Sequence, residues 1–283
     1  MAQFTNQAQL RYGNSVTNSN IAVGEILEVL SVTKTAVNNT YQPDGTVTYI
    51  VSIINSGATP ISCLSLSDNL GAYAFGSGSL TPLTYLEGSV KYYVNGVQQA
   101  APTITAGPPL TIGCLSVPAN GTLMLIYETV TNAYAPLSVN ANITNTVTVS
   151  SENISAITAQ ETVTVISAPA LTITKSISPV PVTENGTLTY TFLIQNDGNV
   201  AADAASAIVV SDLFDPKLSN LTVTFNGTTL AENTDYTYDQ ATGEFATVAG
   251  QLTVPAATFS TMVATGEWLV TPGVSTLVIT GTV

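Results

Sequence analysis

The sequence predicts an all-β chain in which two copies of one antiparallel sandwich domain follow an N-terminal donor strand or hairpin. Three observations carry that expectation: an internal repeat, a side-chain period of two, and Asn, Gly and Pro turn signals at matching places in both copies. Superposing Lys34 on Lys175 also superposes Gly45 on Gly186, Thr48 on Thr189, Tyr49 on Tyr190, Ile53 on Ile194, Asn55 on Asn196 and Gly57 on Gly198 without a gap. Further on, Ser67-Asp68 matches Ser211-Asp212, Asn95-Gly96 matches Asn226-Gly227, and Val117-Pro118-Ala119 matches Val254-Pro255-Ala256. A repeat of this length is a domain duplication.

The N-terminal segment, residues 1–30, reads as a spare piece of such a domain. Phe4-Thr5-Asn6-Gln7-Ala8-Gln9-Leu10 has a counterpart in Ile143 to Val149, and Gly24 to Val29 has one in Gln160 to Val165. Phe4, Asn6, Ala8 and Leu10 share one face of an extended strand, with Ile26 and Val29 on the return. The first domain, residues 31–167, opens on a strand through Thr33-Lys34. Thr46 to Ile54 is rich in β-branched and aromatic residues and ends at an Asn-x-Gly turn. Asn95-Gly96 marks a hairpin and Pro118 the entry to a later strand. The second domain, residues 168–283, repeats the order with Thr187 to Gln195, Asn226-Gly227 and Pro255. No window carries a helical stripe. Short strands at this spacing predict immunoglobulin-like sandwiches.

Ile279-Thr280-Gly281-Thr282-Val283 matches Ile143 to Val147. The expectation is that the second domain lacks its last strand while the N-terminal segment holds a copy, so that one subunit completes the next. One strand or two could be donated.

Composition bounds the function. Five Lys plus Arg stand against eighteen Asp plus Glu, with no His and a net charge of −13. That balance argues against nucleic acid and anionic membrane as partners. No apolar run reaches the roughly 20 residues of a membrane span. Residues Met1 to Ser15 lack the apolar core of a signal peptide, so a mature form or another export route is expected. The Thr-, Asn- and Val-rich, Lys-poor composition points to a cell or spore surface.

Period-two alternation places Lys34 on the inward face with Leu30 and Val32, Asp68 with Leu64 and Leu66, and Asn145 with Ile143 and Val147. Lys175 and Asp212 fall inward in the second copy, where Gly281 stands at the position aligned with Asn145. Asn6 of the N-terminal segment is aligned with Asn145 as well. A buried Lys with a depressed pKa is a nucleophile, and a neighbouring carboxyl can activate an amide. Two sets follow: Lys34, Asp68 and Asn145 within domain one, and Lys175, Asp212 and the Asn6 of a neighbour. Each either forms a Lys–Asn crosslink or remains a buried ion pair capped by Asn.

The run Thr-Lys, Gly-Thr-[Val/Leu]-Thr-Tyr, Asn-x-Gly, Ser-Asp, Val-Pro-Ala and Ile-Thr-Asn-Thr-Val resembles the bacterial surface repeat known as "domain of unknown function eleven". The Lys–Asp–Asn sets resemble the self-generated isopeptide bonds of Gram-positive pilins and adhesins. The first resemblance implies an immunoglobulin-like fold on a bacterial exterior with no activity attached; the matched ends of the chain point to a filament subunit that polymerises with itself head to tail, with no cofactor and no enzymatic turnover expected.

Other candidates are weaker. Cys63 and Cys114, both before Leu-Ser, could pair as a disulfide or stay as buried thiols. Tyr85, Tyr92, Tyr93, Tyr236 and Tyr238 could form a sugar platform, the basis of an alternative reading as an adhesin or carbohydrate-binding module. Asp197, Asp203 and Asp215 could hold calcium, though solvated loop carboxylates are the commoner outcome. No His, metal-spaced Cys pair or phosphate loop is present, so catalysis on an external substrate is not expected.

Overall fold

The computed structural model describes residues 2–26, 29–152 and 154–283, with residues 2, 3, 25 and 26 described by backbone only. Among the described residues the regular structure is all β apart from one 3₁₀ turn at Ala204–Ser206.

The N-terminal segment forms β1 (Ala2–Asn6), β2 (Gln9–Tyr12), β3 (Ser15–Asn18) and β4 (Ala22–Ile26). β1 pairs with β4 (Phe4↔Gly24, Asn6↔Ala22) and β2 with β3 (Leu10↔Thr17, Tyr12↔Ser15), so together they make one long hairpin turning at Gly13-Asn14. The two ladders are out of step by one residue. At the step Ser19 N donates to Ala8 O at 2.9 Å and Gln7 Nε2 to Ser19 O at 2.8 Å, a β-bulge that keeps the backbone satisfied. Apolar side chains face water along its length, with Phe4 53% and Leu10 62% exposed. Gly24 lets the Phe4 ring lie across it, since a Cβ there would come 2.4 Å from the ring's Cζ and turn the ring aside.

Domain one contains β5 (Leu30–Ala36), β6 (Thr40–Tyr41), β7 (Thr46–Asn55), β8 (Ile61–Asp68), β9 (Tyr73–Phe75), β10 (Gly78–Leu80), β11 (Leu83–Tyr85), β12 (Lys91–Val94), β13 (Val97–Gln98), β14 (Thr103–Thr105), β15 (Leu110–Val117), β16 (Gly121–Thr131), β17 (Asn142–Ser151) and β18 (Ile154–Val165). One sheet runs β13-β12-β16-β7-β5 and the facing sheet β14-β15-β8-β17-β18-β6. Val47, Tyr49, Val51 and Ile53 from one sheet meet Leu64, Leu66, Val147 and Val149 from the other in a single buried core. The closing hairpin β17–β18 lies over β5, so Leu30 is buried.

Domain two contains β19 (Leu171–Ser178), β20 (Thr187–Asn196), β21 (Ser211–Leu213), β22 (Ser219–Phe225), β23 (Thr228–Thr229), β24 (Tyr236–Asp239), β25 (Glu244–Thr247), β26 (Thr258–Thr261), β27 (Trp268–Thr271) and β28 (Gly273–Thr282). Its sheets run β19-β20-β28-β22-β23 and β21-β25-β24, with β26–β27 as a separate hairpin. Both domains lock their cores with the predicted Asn-x-Gly turn. Asn196 Nδ2 donates to Val200 O (2.8 Å) and Pro255 O (3.0 Å), and its Oδ1 accepts from Gly198 N and Ala170 N, both at 2.9 Å. Asn55 does the same with Thr59 O, Pro118 O and Gly57 N. Asn196→Ala should therefore destabilise domain two by about 1–3 kcal/mol, the cost of a buried polar group left unpaired, read as a lower urea midpoint with an unchanged slope.

The pairing corrects the sequence match at Ile279 to Val283. Gly273 faces Asn196 as Gly121 faces Asn55, and Ile279 faces Tyr190 as Tyr127 faces Tyr49. β28 is thus the counterpart of β16, not of β17. Alternating Ile, Thr and Val read alike in any half-buried strand, so five residues could not tell two such strands apart. Gly281 is explained locally, since a Cβ there would meet Leu218 Cβ at 2.9 Å. Among the described residues, domain two has no counterpart of β17 or of β18.

The alignment of the return strand is also corrected. Asn6 faces Ala22 as Asn145 faces Glu161, and Tyr12 faces Ser15 as Ser151 faces Ile154. Along the sequence β1–β4 therefore aligns with β17–β18 without a gap, placing Gly24 on Val163 and Ile26 on Val165, but the bulge falls at a different place, so that Leu10 faces Thr17 where Val149 faces Ile157. The side chain of Ile26 lies outside the described residues. Val29 is no donor residue, because it belongs to the start of domain one, where its carbonyl accepts from Ser56 N at 2.8 Å.

Candidate functional site

The closing hairpin of domain one brings Lys34, Asp68 and Asn145 together between the sheets. Lys34 enters from β5, Asp68 from the end of β8 and Asn145 from β17, and all three are buried. Lys34 Nζ lies 2.8 Å from Asp68 Oδ2, both side chains having no exposed surface. Asn145 Nδ2 is 3.4 Å from the same oxygen, and the Tyr127 hydroxyl donates to it as well. Asp68 Oδ1 accepts from Leu70 N at 2.7 Å, which fixes the carboxyl. The ammonium stands 4.5 Å from the centre of the Tyr49 ring.

The Asn145 amide lies with its nitrogen toward Asp68 and its buried carbonyl oxygen beside the buried Tyr49 hydroxyl.

Burial pushes the Lys34 ammonium down to about 8 from its ordinary 10.5, against the opposing pull of Asp68 and Glu161. Below about 8 the side chain is protonated folded or unfolded. Between about 8 and 10.5 the unfolded chain holds a proton that the folded one has released, so stability rises with pH across that window. In an Asn145→Ala chain, where Lys34 keeps its free amine, thermal melts should show domain one gaining stability from pH 8 to 10.5. A flat profile would contradict the depressed pKa. Burial likewise raises the Tyr127 hydroxyl well above its usual range, so it stays a donor to Asp68.

Domain two keeps the pair but not the cover. Lys175 Nζ contacts Asp212 Oδ2 and stands 4.3 Å from the centre of the Tyr190 ring, yet the two side chains are 39% and 18% exposed. Leu171, Ile173 and Ile177, which alternate onto the same face as Lys175, are 40–52% exposed, and every residue of β19 is open. Ile173 and Lys175 pair with the buried Ile194 and Phe192, so they share the core side of the sheet, and among the described residues nothing covers them there. Among the described residues β21, which carries Asp212, pairs only with β25 and its other edge has no partner. In domain one the equivalent edge of β8 is taken by β17, with Val147 opposite Asp68.

Asn6 sits on the exposed hairpin, away from any Lys within the chain's described contacts. Superposed on β17–β18, it takes the place of Asn145, and Phe4, Ala8 and Leu10 take those of Ile143, Val147 and Val149. Sequence reasoning missed Tyr127 and Glu161, the first of which was findable as an inward residue of the strand that opens at Gly121.

The remaining candidates are not assembled. Cys63 and Cys114 are free and exposed, not paired. They lie on neighbouring strands but at bulges on either side of the Leu64↔Leu115 pair, with φ of 55° and 59° turning both outward. The tyrosines form no platform: Tyr85 and Tyr236 are buried, the Tyr92 hydroxyl bonds Ser116, and the Tyr238 hydroxyl bonds the Leu218 backbone. Among the described residues no three His, Cys, Asp or Glu side chains gather as for a metal, and Asp203 caps a 3₁₀ turn by accepting from Ala205 N.

No family model matches the chain, which leaves the surface-repeat resemblance without that support, and no curated protein matches it. Solved structures with a similar fold include the pilus backbone of Streptococcus pneumoniae, 14% identical with a TM-score of 0.35, covering 86% of this chain and 55% of that one. The chain thus spans about half the length of that protein. The major pilin subunit of Bacillus cereus is 11% identical with a TM-score of 0.37, covering 96% and 73%. The collagen-binding domain of a Staphylococcus aureus adhesin is 14% identical with a TM-score of 0.29, covering 47% and 95%. At these scores no residue correspondence or activity is carried across.

Proposed function

We propose that this protein is a structural subunit of an extracellular filament, on a cell or spore surface, in which the hairpin β1–β4 of one copy inserts into the open face of domain two of the next. The observation that carries the reading is a correspondence of pairs: the chain displays an exposed hairpin whose Asn6↔Ala22 and Tyr12↔Ser15 pairs align with Asn145↔Glu161 and Ser151↔Ile154 of β17–β18, a hairpin with no counterpart in domain two among the described residues. An open sheet edge beside an exposed apolar face is a template for strand addition. Because donor and acceptor surfaces differ, the contact repeats without closing and yields a fibre. The acidic, Lys-poor composition suits an exposed surface, and no helix among the described residues is long and apolar enough to cross a membrane.

The buried sets then act as seals. Within domain one, a proton passing from Lys34 to Asp68 leaves a neutral amine that attacks Cγ of Asn145. A new Nζ–Cγ amide forms, the Cγ–Nδ2 bond breaks, and the proton released by the amine leaves with Nδ2 as ammonia. Asp68 Oδ2, placed between Nζ and Nδ2, is the carrier, and Tyr127 holds it there. At the joint between subunits, Lys175, Asp212 and the incoming Asn6 would repeat the reaction, with the hairpin supplying the burial that Lys175 lacks. Electron microscopy of the purified protein tests the assembly: filaments with a two-domain repeat are expected, and monomers at all concentrations would refute it. Asn6→Ala filaments should form but dissociate in hot detergent, whereas detergent-stable ladders from that variant would refute the covalent joint alone.

A further inference from the structure

The two domain copies differ most where each carries an insertion, and the two insertions meet. Domain one places residues 72–86, with β9, β10 and β11, between Gly71 and Glu87, where domain two has only Pro216 and Lys217 between Asp215 and Leu218. Domain two places residues 257–272, with β26 and β27, between Ala256 and Gly273, where domain one has only Asn120. The β9–β10 hairpin and the β26–β27 hairpin each form a separate two-stranded sheet outside the main sheets, whereas β11 pairs with β16 and adds Leu83 and Tyr85 to the core of domain one.

The contact between them is close. Gly266, at the β26–β27 turn with φ +76°, lies so near β9 and β10 that a Cβ would come 2.3 Å from Leu80 Cδ1 and 3.1 Å from Phe75 Cε1. Trp268 N donates to Ala133 O of domain one at 2.9 Å, and its indole N–H is buried near Tyr73. Phe259 lines a crevice of about 300 Å³ with Pro43, Leu137 and Ile166 of domain one. Below it Asn199 Nδ2 donates to Leu137 O and Ile166 O, both at 3.1 Å, and its Oδ1 accepts from Ala168 N.

We infer that these insertions form a strap that holds the two domains of a subunit in one orientation, and that the joint between subunits has no strap. Relative motion of linked domains is the default unless an interface opposes it. The second half rests on the hairpin-insertion reading. At a subunit joint the preceding domain is a completed domain two, which lacks β9–β11, and the following domain is a domain one, which lacks β26–β27. Asn199 has Ala58 in its place there. Each half of the strap is thus missing on the side where it would be needed, and fibre joints alternate between strapped and unstrapped.

Trp268 is the chain's one tryptophan, so its emission reports the strap directly. Gly266→Val, from the domain-two side, and Leu80→Arg, from the domain-one side, should each red-shift the emission and raise acrylamide quenching about two-fold as the indole becomes wet. Small-angle scattering of the hairpin-deleted monomer should broaden from one interdomain distance to a range in both variants. Quenching and scattering unchanged in both would overturn the strap. In fibre images, bend angles should spread more at joints between subunits than within them, and equal spreads would overturn the alternation. Absence of fibres would overturn the assembly reading, and with it the alternation, while leaving the strap to be judged on monomer fluorescence.

Discussion

Removing residues 1–26 should leave soluble monomers that form no fibres at any concentration, the largest effect expected of any change to this chain. The deletion takes away a hairpin that pairs with no strand of domain one among the described residues, so both domains should keep their fold and melting behaviour. What is lost is the cover for Leu171, Ile173, Lys175 and Ile177 and the partner for the free edge of β21. The register sets the details: Ala8 should lie opposite Asp212, as Val147 lies opposite Asp68. Phe4, lying over Gly24, brings an aromatic ring where domain one has the Ile143↔Val163 pair. Phe4→Asp should approach the full deletion in effect, because it would bury a charge without a partner. Fibres that assemble normally from the truncated chain would refute hairpin insertion.

The second large effect lies in domain one. Wild-type protein should weigh one ammonia less than its sequence for each bond formed, and digestion should yield a branched peptide joining Lys34 to Asn145. Asn145→Ala should restore the full mass at that site and lower the melting temperature of domain one on the order of 10 °C, from about 4–5 kcal/mol for a covalent link closing a loop of roughly 100 residues. Lys34→Ala should cost at least as much, since it also removes the Lys34 side chain and its N–H from beside the buried Asp68 carboxyl. Asp68→Asn should keep the fold but leave the mass uncorrected, because the amide cannot carry the proton. An intact mass equal to the sequence would return the cluster to a buried ion pair capped by Asn.

Much of this was legible in the sequence, for physical reasons that also mark where it stopped. The duplicated Lys34 and Lys175, Tyr49 and Tyr190, and Asn55 and Asn196 stand at positions where chemistry constrains residue type, so they aligned the copies and placed the inward faces correctly. Ile279 to Val283 failed as a guide because alternating Thr, Ile and Val satisfy any half-buried strand; only the ladder partners Asn196↔Gly273 assign it. That correction turned a missing strand into a missing hairpin. Gly24 to Val29 was displaced along the return strand because the turn at Gly13-Asn14, not residue likeness, sets the pairing. The outward turn of Cys63 and Cys114 depends on bulges, which period-two reasoning cannot foresee. The insertions at 72–86 and 257–272 showed only as gaps in the repeat, and that they touch each other is a property of the folded chain alone.

The most direct test of the central claim is a mixing measurement. A donor-deficient chain lacking residues 1–26 and an acceptor-deficient chain carrying Ile173→Glu in the open face should each remain monomeric. Combined in equal amounts, they should form a heterodimer and stop, because only one productive contact is left between them. Light scattering coupled to size-exclusion chromatography reads this in one run. A single peak at the mass of two subunits is the predicted result; two unmixed monomers, or assembly by either chain alone, would contradict the account.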